Sequence, residues 1–412
     1  MTARPVDGEE FALVAMPTPP AMPARRRRPR NRREQILTVA ACRFGDLGYH
    51  RVSMADIAAA VDIGASALYR HFRGKQDLLV AVVDDTLTEL EGLVDDRADD
   101  LPAIVDALAH AALRRRHFGA LWDRDLAYLP ERDRHRLQSR MRALVSRVAD
   151  LVAADAVGPA GEARLRAHAL WAVLASPSRH RVDRDAARFA ELLGQAAMAA
   201  VRAPLPTEPT LAPRQLPGAK PQLPVSRREA ILTAAIRLFD RQGYPTVGLT
   251  DIGAAAGIAG PSIYNHFASK TEILSAALAR GNEALWLALH HALTTADGVE
   301  DALEQTIDSY VTFAVNNPAM VSVLLSEVIN LPAEQHDTYQ RSQQAYVNEW
   351  VALLGRSQPH LPEPEVRLLV HAALGVTNDL VRVRLLQGRD RLPTEIAALA
   401  RAVLGLGTLS QS

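Results

Sequence analysis

The chain has 412 residues, enough for two or three domains at ~100–200 residues each. Aromatic residues make up only 5% of it while alanine and leucine dominate, which favours helices over sheets. Basic and acidic residues balance at 47 each, and the lone cysteine, Cys42, excludes an internal disulfide and fits a reducing compartment. No stretch approaches the ~18 apolar residues of a membrane span. The early apolar run from Phe11 to Met16 is too short for a signal core, and arginines follow it rather than precede it. A cytoplasmic, soluble chain with no membrane partner is expected.

Residues 1–24 are rich in proline and small side chains and read as a disordered tail. Neutral net charge hides a local excess that follows. Seven arginines (Arg25, Arg26, Arg27, Arg28, Arg30, Arg32 and Arg33) form a basic arm, a pattern suited to a nucleic acid backbone. Its alternatives are a solvated tail or a patch drawn to membranes. An acidic stretch from Asp84 to Asp100 offsets it.

From Arg32 the chain repeats itself. Residues 32–79 align without a gap on residues 227–274, and 21 of the 48 positions are identical, far beyond chance and at a period much longer than the ~20–50 residues of solenoids. Weaker echoes continue. Leu129-Pro130-Glu131 matches Leu331-Pro332-Ala333, Asp125 matches Glu327, and Glu162-Ala163-Arg164-Leu165 matches Glu365-Val366-Arg367-Leu368. The whole first half therefore reads as a homologue of the second. Between them, residues 202–225 hold seven prolines. Each interior proline costs a helix ~3 kcal/mol, so this segment reads as an extended linker.

Three short helices are predicted at the head of each half. Ile36, Ala40 and Phe44 lie four apart, as do Ile231, Ala235 and Phe239, which makes one apolar helical face. Gly48 and Gly243 are expected to end this helix as left-handed caps. Ser53 is placed to cap a second helix through Met54 and Ile57, with Gly248 and Thr250 at the matching start. A turn at Asp62-Ile63-Gly64, or Gly257-Ile258-Ala259, leads to a third helix. On it Ser66, Tyr69, Arg70 and His71, or Pro261, Ser262, Tyr264, Asn265 and His266, are DNA-contact candidates, joined by Ser53 and Thr250 at the preceding helix starts, while Leu68 and Phe72, or Ile263 and Phe267, face inward. A fourth helix starts near Lys75 and Lys270, each placed to reach a phosphate. Two helices crossing at a tight turn make a helix-turn-helix, whose second helix fits a major groove. The bland readings are that Tyr69 and Tyr264 pack internally and that His71 and His266 pack locally.

The Tyr-x-His-Phe element, with Asp-Ile upstream and a lysine three residues downstream, resembles the N-terminal domain of TetR-family repressors. The first copy departs from that pattern in having Asp62 where glycine is usual, and the second in having Gly248 where a hydroxyl cap is usual. A double-length chain with a proline linker is similar to fused double-TetR regulators, some of which govern lipid-uptake and lipid-catabolism genes.

The resemblance implies an all-α fold of two tandem halves. Each would be a three-helix DNA-binding domain joined to a helical ligand-binding and dimerisation domain. The expected limits are 25–80 for the first basic arm and DNA-binding domain, 81–201 for the first helical domain, 226–276 for the second DNA-binding domain and 277–412 for the second helical domain. It further implies that the halves pair as an intramolecular pseudo-dimer, using Glu162 to Val173 with Asp185 to Val201, and Glu365 to Val376 with Thr394 to Leu406.

The function so implied is a ligand-responsive repressor acting on double-stranded DNA. Arg27, Arg28 and Arg30 would enter a minor groove, and unequal recognition helices would read an asymmetric operator. A small hydrophobic effector is expected, and a further homo-oligomer stays open. The alternative is a sensing or partner-binding scaffold in which only the second DNA-binding unit is active. Trp122, Tyr128, Trp171, Tyr310, Phe313, Met320, Trp350 and Asn378 are pocket candidates or plain core. Adjacent His290 and His291 face different directions on a helix, so no metal is expected. No nucleophile elbow, phosphate-cradling glycine loop or His-Glu-x-x-His pair occurs, so neither an enzyme nor a cofactor is expected.

Overall fold

The computed structural model describes residues 32–97, 100–155, 158–180, 185–207 and 226–406. Arg27, Arg28, Arg30 and most of the proline-rich linker lie outside the described residues. The described regular elements are all helical. The first half runs α1 (Arg32–Leu47), α2 (Met54–Ala60), α3 (Ala65–His71), α4 (Lys75–Asp95), α5 (Leu101–Arg114), α6 (Phe118–Arg124), α7 (Glu131–Ala154), α8 (Ala163–Ala175) and α9 (Ala186–Arg202). The second runs α10 (Arg227–Gln242), α11 (Leu249–Ala256), a 3-10 segment (Gly260–Asn265), α12 (Lys270–Thr295), α13 (Val299–Asn316), α14 (Pro318–Ser326), α15 (Ala333–Ser357), α16 (Glu363–Arg382) and α17 (Leu392–Val403).

Local chemistry sets these limits. Asp100, Asp185, Ser226 and Ser269 each accept a backbone N–H at the start of α5, α9, α10 and α12, satisfying donors that a helix leaves free. Proline occupies the first turn of α5, α14, α16 and α17, where its missing N–H costs nothing. Glu272 closes the Ser269 cap one residue early, accepting from the Ala268 N–H rather than that of Ser269. Gly48 and Gly243 do follow α1 and α10 at positive φ, but with ψ near 145° they lie outside the left-handed helical region and are not left-handed caps. The fourth helix of each half continues as one rod from the DNA-binding-like head into the body.

Burial divides into three clusters. Two belong to the heads, one around Ile36, Phe44, Leu68 and Phe72 and one around Ile231, Phe239, Ile263 and Phe267. The third is shared by both bodies. There α8 lies along α16 and α9 along α17, while α8 also packs on α9 and α16 on α17. The two halves thus meet in a four-helix bundle built from the segments expected from the sequence. Leu165, Leu170 and Val173 of α8 and Leu368, Ala372 and Val376 of α16 are all buried in this cluster, at roughly 1.5–3 kcal/mol for each large side chain removed from water.

Polar groups are spread through the same interface. Arg188 forks onto the buried Glu365 carboxylate at 3.0 and 2.9 Å, and Arg389 reaches the Gly161 carbonyl. Arg391 holds the carbonyls of Pro206 and Thr207, where the linker begins. His180 and His371 stack with ring centroids 4.6 Å apart. Burial pushes the His180 imidazole down to about 4 and that of His371 to about 3, helped by Arg116, Arg367 and Arg179 nearby. Both are therefore neutral in the fold.

Since the folded values lie below the unfolded value near 6.5, the unfolded chain binds protons that the folded chain refuses. The stability this pair contributes is present above pH 6.5 and is lost as pH falls towards 4. The slope of unfolding free energy against pH between 6 and 4.5 should approach about 1.4 kcal/mol per pH unit for each histidine. Urea titrations at several pH values check this; His180→Phe should flatten the slope, and an unchanged slope contradicts the assignment.

Candidate nucleic-acid interface and effector cavity

In the first head, Ser53 accepts from the Asp56 N–H at 3.1 Å and Asp56 accepts from the Ser53 N–H at 2.8 Å. This reciprocal cap fixes the start of α2. In the second, Gly248 has no side chain to accept, yet Asp251 still takes the Gly248 N–H at 2.8 Å. Half of the device survives without the hydroxyl. The turn differs as well. Gly257 sits at φ 67°, which glycine adopts freely, whereas Asp62 is held at φ 56°, a conformation an L side chain adopts at a cost.

Beyond the turn, the recognition elements present the expected faces. Leu68 and Ile263 are completely buried, and Phe72 and Phe267 nearly so. Tyr69 is 54% exposed and Tyr264 61%, so the reading that these tyrosines pack internally fails. Ser66, Arg70 and His71 are exposed beside Tyr69; Pro261 and Asn265 are exposed beside Tyr264, with Ser262 and His266 half-buried. Ser53 and Thr250 are exposed at the preceding helix starts. One expectation is corrected: the second unit's third element is a 3-10 segment rather than an α-helix. The turn before it passes close to α11. Gly253 of α11 would, with a Cβ, stand 2.8 Å from the Ile258 carbonyl oxygen and 3.2 Å from Ile263. The matching residue of α2 is Ala58.

The flanking cations are already engaged. Lys75 lies 4.2 Å from the Tyr49 ring centroid and Lys270 4.2 Å from that of Tyr244. The Lys270 ammonium also donates to the Tyr244 and Val247 carbonyls at 2.8 Å. Both lysines therefore tie α4 and α12 to the loop after the first helix, and a phosphate contact would draw on ammonium groups turned into the domain. Arg32 donates to the Val61 carbonyl at 3.0 Å. Arg33 and Arg228 stand over the Phe72 and Phe267 rings at 5.6 and 4.4 Å, which places the base of the arginine arm beside α3.

The first body encloses a cavity of about 760 Å³, within the ~300–1,000 Å³ usual for small-molecule sites. Leu108, Phe118, Trp122, Met141, Val145 and Trp171 supply apolar wall, and the end of α16 closes one side. Four charges from both halves stand in that wall. Arg179 contacts Asp123 at 3.0 Å and Asp379 at 2.6 Å, and Arg382 contacts Asp379 at 2.5 Å and Asp123 at 3.4 Å. Burial pushes the Asp123 carboxyl up, but Arg382 and Arg179 outweigh it and hold it below its usual range. Of the aromatic pocket candidates, Trp122 and Trp171 line this space. Tyr128 instead stacks on Tyr49, Met320 joins the second head's core, and Tyr310, hydrogen-bonded to Asn378, packs on Trp350. Burial pushes the Cys42 thiol up, which suits an inert residue. Among the described residues no metal-holding cluster occurs, and no helix is long and apolar enough to cross a membrane.

The family model for bacterial regulatory proteins of the tetR family matches twice, at residues 36–82 and 231–277. The chain therefore carries two DNA-binding-type domains of the tetR family in tandem. The two matches coincide with the two heads whose tyrosines stand outward. Among relatives of this chain, the HTH-type transcriptional activator FasR of Mycolicibacterium smegmatis is 32% identical over 87 residues, 21% of this chain and 40% of FasR. The nucleoid occlusion factor SlmA of Idiomarina loihiensis is 33% identical over 126 residues, 29% of this chain and 63% of SlmA. The chain thus spans less than two thirds of either relative. A crystal structure of a TetR-family transcriptional regulator from Bordetella parapertussis 12822 superposes with a TM-score of 0.40 at 19% identity, covering 42% of this chain and 93% of that one.

The close crossing in the second head has a measurable consequence. Gly253→Ala should destabilise the protein by roughly 1–3 kcal/mol, because the new methyl meets a backbone carbonyl that cannot swing aside. Chemical denaturation of the full chain reads this, with Ala58→Ser as a control of similar bulk in the first head; a Gly253→Ala variant as stable as the parent would contradict the geometry.

Proposed function

We propose that this chain is a sequence-specific DNA-binding transcriptional regulator, a ligand-responsive repressor whose two unlike recognition elements act as a pseudo-dimer on an asymmetric operator. The observation that carries the reading is the outward placement of Tyr69 and Tyr264 on two heads fixed to one intramolecular bundle. A symmetric dimer reads a palindrome because its recognition helices are identical. Here Arg70 stands where the other head has Asn265. Arginine pairs bidentately with guanine and asparagine with adenine, so the two half-sites differ.

Around those two residues, Ser53, Ser66, His71, Thr250, Pro261, Ser262 and His266 complete the contact surface. Lys75 and Lys270 reach phosphate by exchanging their internal partners. Arg27, Arg28 and Arg30 supply a minor-groove arm to the first head only. The effector occupies the cavity of the first body. Repression follows from occupancy of the operator and is the habit of the family; because FasR is named an activator, a reporter fused to the bound promoter decides the direction.

Fluorescence anisotropy on a footprinted operator tests the reading. Tyr69→Ala and Tyr264→Ala should each weaken binding about tenfold, the loss of ~1–3 kcal/mol expected for one good contact. Exchanging the two half-sites should cost more than mutating a flanking base. If Tyr69→Ala leaves affinity unchanged while Tyr264→Ala abolishes it, the scaffold with a single active unit replaces this proposal. Deleting residues 1–30 should weaken binding and flatten its salt dependence, since fewer phosphate charges are neutralised.

A further inference from the structure

The cavity lining carries a charge imbalance that its apolar walls do not explain. Seven arginines and two aspartates line it. Arg179 and Arg382 are matched by Asp123 and Asp379, and Arg115 is matched by Glu89 and Asp85. The other four, Arg116, Arg142, Arg164 and Arg384, face no carboxylate within ion-pair distance among the described residues. Arg116 donates to the His180 carbonyl and Arg142 to Gln138 and Ser139 of its own helix. Arg164 and Arg384 are exposed, as is the neighbouring Leu385 at 68%, so they stand where the cavity meets solvent. Deeper in, the Trp171 indole N–H is buried without a partner, an unspent donor in the wall. A guanidinium cannot lose its proton and presents a planar fork of donors matched to carboxylate or phosphate.

Among the described residues, aromatic side chains stand at the corresponding positions of the second body. Aligned from their first residues, α5 carries Ala112 at its twelfth position and α13 carries Tyr310; α7 carries Leu144 and Val148 where α15 carries Tyr346 and Trp350. The three aromatics are buried and mutually packed, Tyr310 lying 5.7 Å from Trp350 and 6.2 Å from Tyr346 between ring centroids. Trp286 of α12 packs edge-on to Tyr346. The small residue that lines the cavity in one half has become a ring that fills the other.

We propose that the first-half cavity takes an amphiphile with an apolar chain and an anionic head, carboxylate or phosphate, and that each chain binds one such molecule, against residues of both halves. This rests on the reading of the cavity as the effector site and names what that site accepts. The apolar chain lies along Phe118, Trp122, Met141 and Trp171, and the head sits within reach of Arg116, Arg164 and Arg384.

Calorimetry of the full chain with four probes of equal chain length tests it: dodecanoate, dodecyl phosphate, dodecanol and dodecyltrimethylammonium. At least one of the two anions should bind at one molecule per chain, about tenfold or more tighter than the alcohol and the cation, an advantage that added salt diminishes. The tighter anion identifies the head. The triple variant Arg116→Gln, Arg164→Gln, Arg384→Gln should remove that advantage while leaving dodecanol unaffected. Ala112→Tyr, which copies the second half, should abolish binding of all four with helical content retained. Equal or tighter binding of the cation, or an anion advantage that survives the triple variant, overturns the charge assignment. Two molecules per chain overturn the single site. DNA release is measured separately: an anion that binds as stated yet leaves operator affinity unchanged removes the effector reading and leaves the chemical class standing.

Discussion

Because α8 and α9 bury against α16 and α17, both helix-turn-helix units are built on one continuous hydrophobic base, and their separation is set by that packing. In a dimer of separate chains such a base forms only at sufficient concentration. Within one chain the partner is always present, so the bundle is held at any dilution. The linker needs only to let the second half arrive. Its first residues are already fixed, with Arg391 gripping the Pro206 and Thr207 carbonyls. The contact that would otherwise force two identical halves also becomes free to diverge, and it has. Arg188 of the first half pairs with the buried Glu365 of the second, while Glu162, the first-half counterpart of Glu365, pairs with Arg166 of its own helix.

Those buried ions add less to stability than their short distances imply. Desolvating a guanidinium and a carboxylate offsets most of what their attraction returns, whereas removing one partner leaves an uncompensated charge. Their effect falls on register. An apolar, alanine-rich helix face can slide by a turn at modest loss, but sliding would strand Glu365, Arg179 and Asp379 without counter-ions. The neutral pair His180 and His371 carries a cost of its own: both His180 nitrogens are buried and lack partners, so they forgo hydrogen bonds to water that only the packing and stacking around the ring offset.

Much of this was legible in the sequence. The two heads followed from residue spacing and from the gapless repeat, because helical periodicity and a tight turn are local properties. The four bundle segments were legible only through the family resemblance, since α8 is buried nearly all round and carries no amphipathic signature of its own. What escaped was whatever depends on distance in space. Ala112 and Tyr310 are unremarkable in their own helices, and only facing α7 and α15 turn one into cavity wall and the other into filling. The phosphate reach assigned to Lys75 and Lys270 came from position along the chain, which says nothing of the tyrosine rings that attract both ammonium groups. The 3-10 form of Gly260–Asn265 escaped for a related reason, because the close approach at Gly253 is a property of two elements together.

The halves also differ in how their heads are fastened to their bodies. In each, an acid beneath the head takes a tyrosine N–H: Asp125 that of Tyr49, and Glu327 that of Tyr244. In the first half, Arg124 adds a second fastening. It forks onto Asp125 at 2.8 and 2.9 Å and donates to the Phe44 carbonyl at 2.7 Å, at the last turn of α1. The second half has Ser326 at that place, which bonds only within its own helix and to Glu327. Arg124 directly follows Asp123, which shares Arg179 and Arg382 in the cavity wall. Cavity, inter-half ion pairs, α6 and the end of α1 are therefore in unbroken contact on one side of the molecule. Contiguity is not by itself coupling, which requires an element with two arrangements that both sites bias. The four-charge cluster shares both its arginines between Asp123 and Asp379, one from each half. The same Arg124 faces Glu327, the acid that takes the Tyr244 N–H, so this run of contacts reaches the fastenings of both heads.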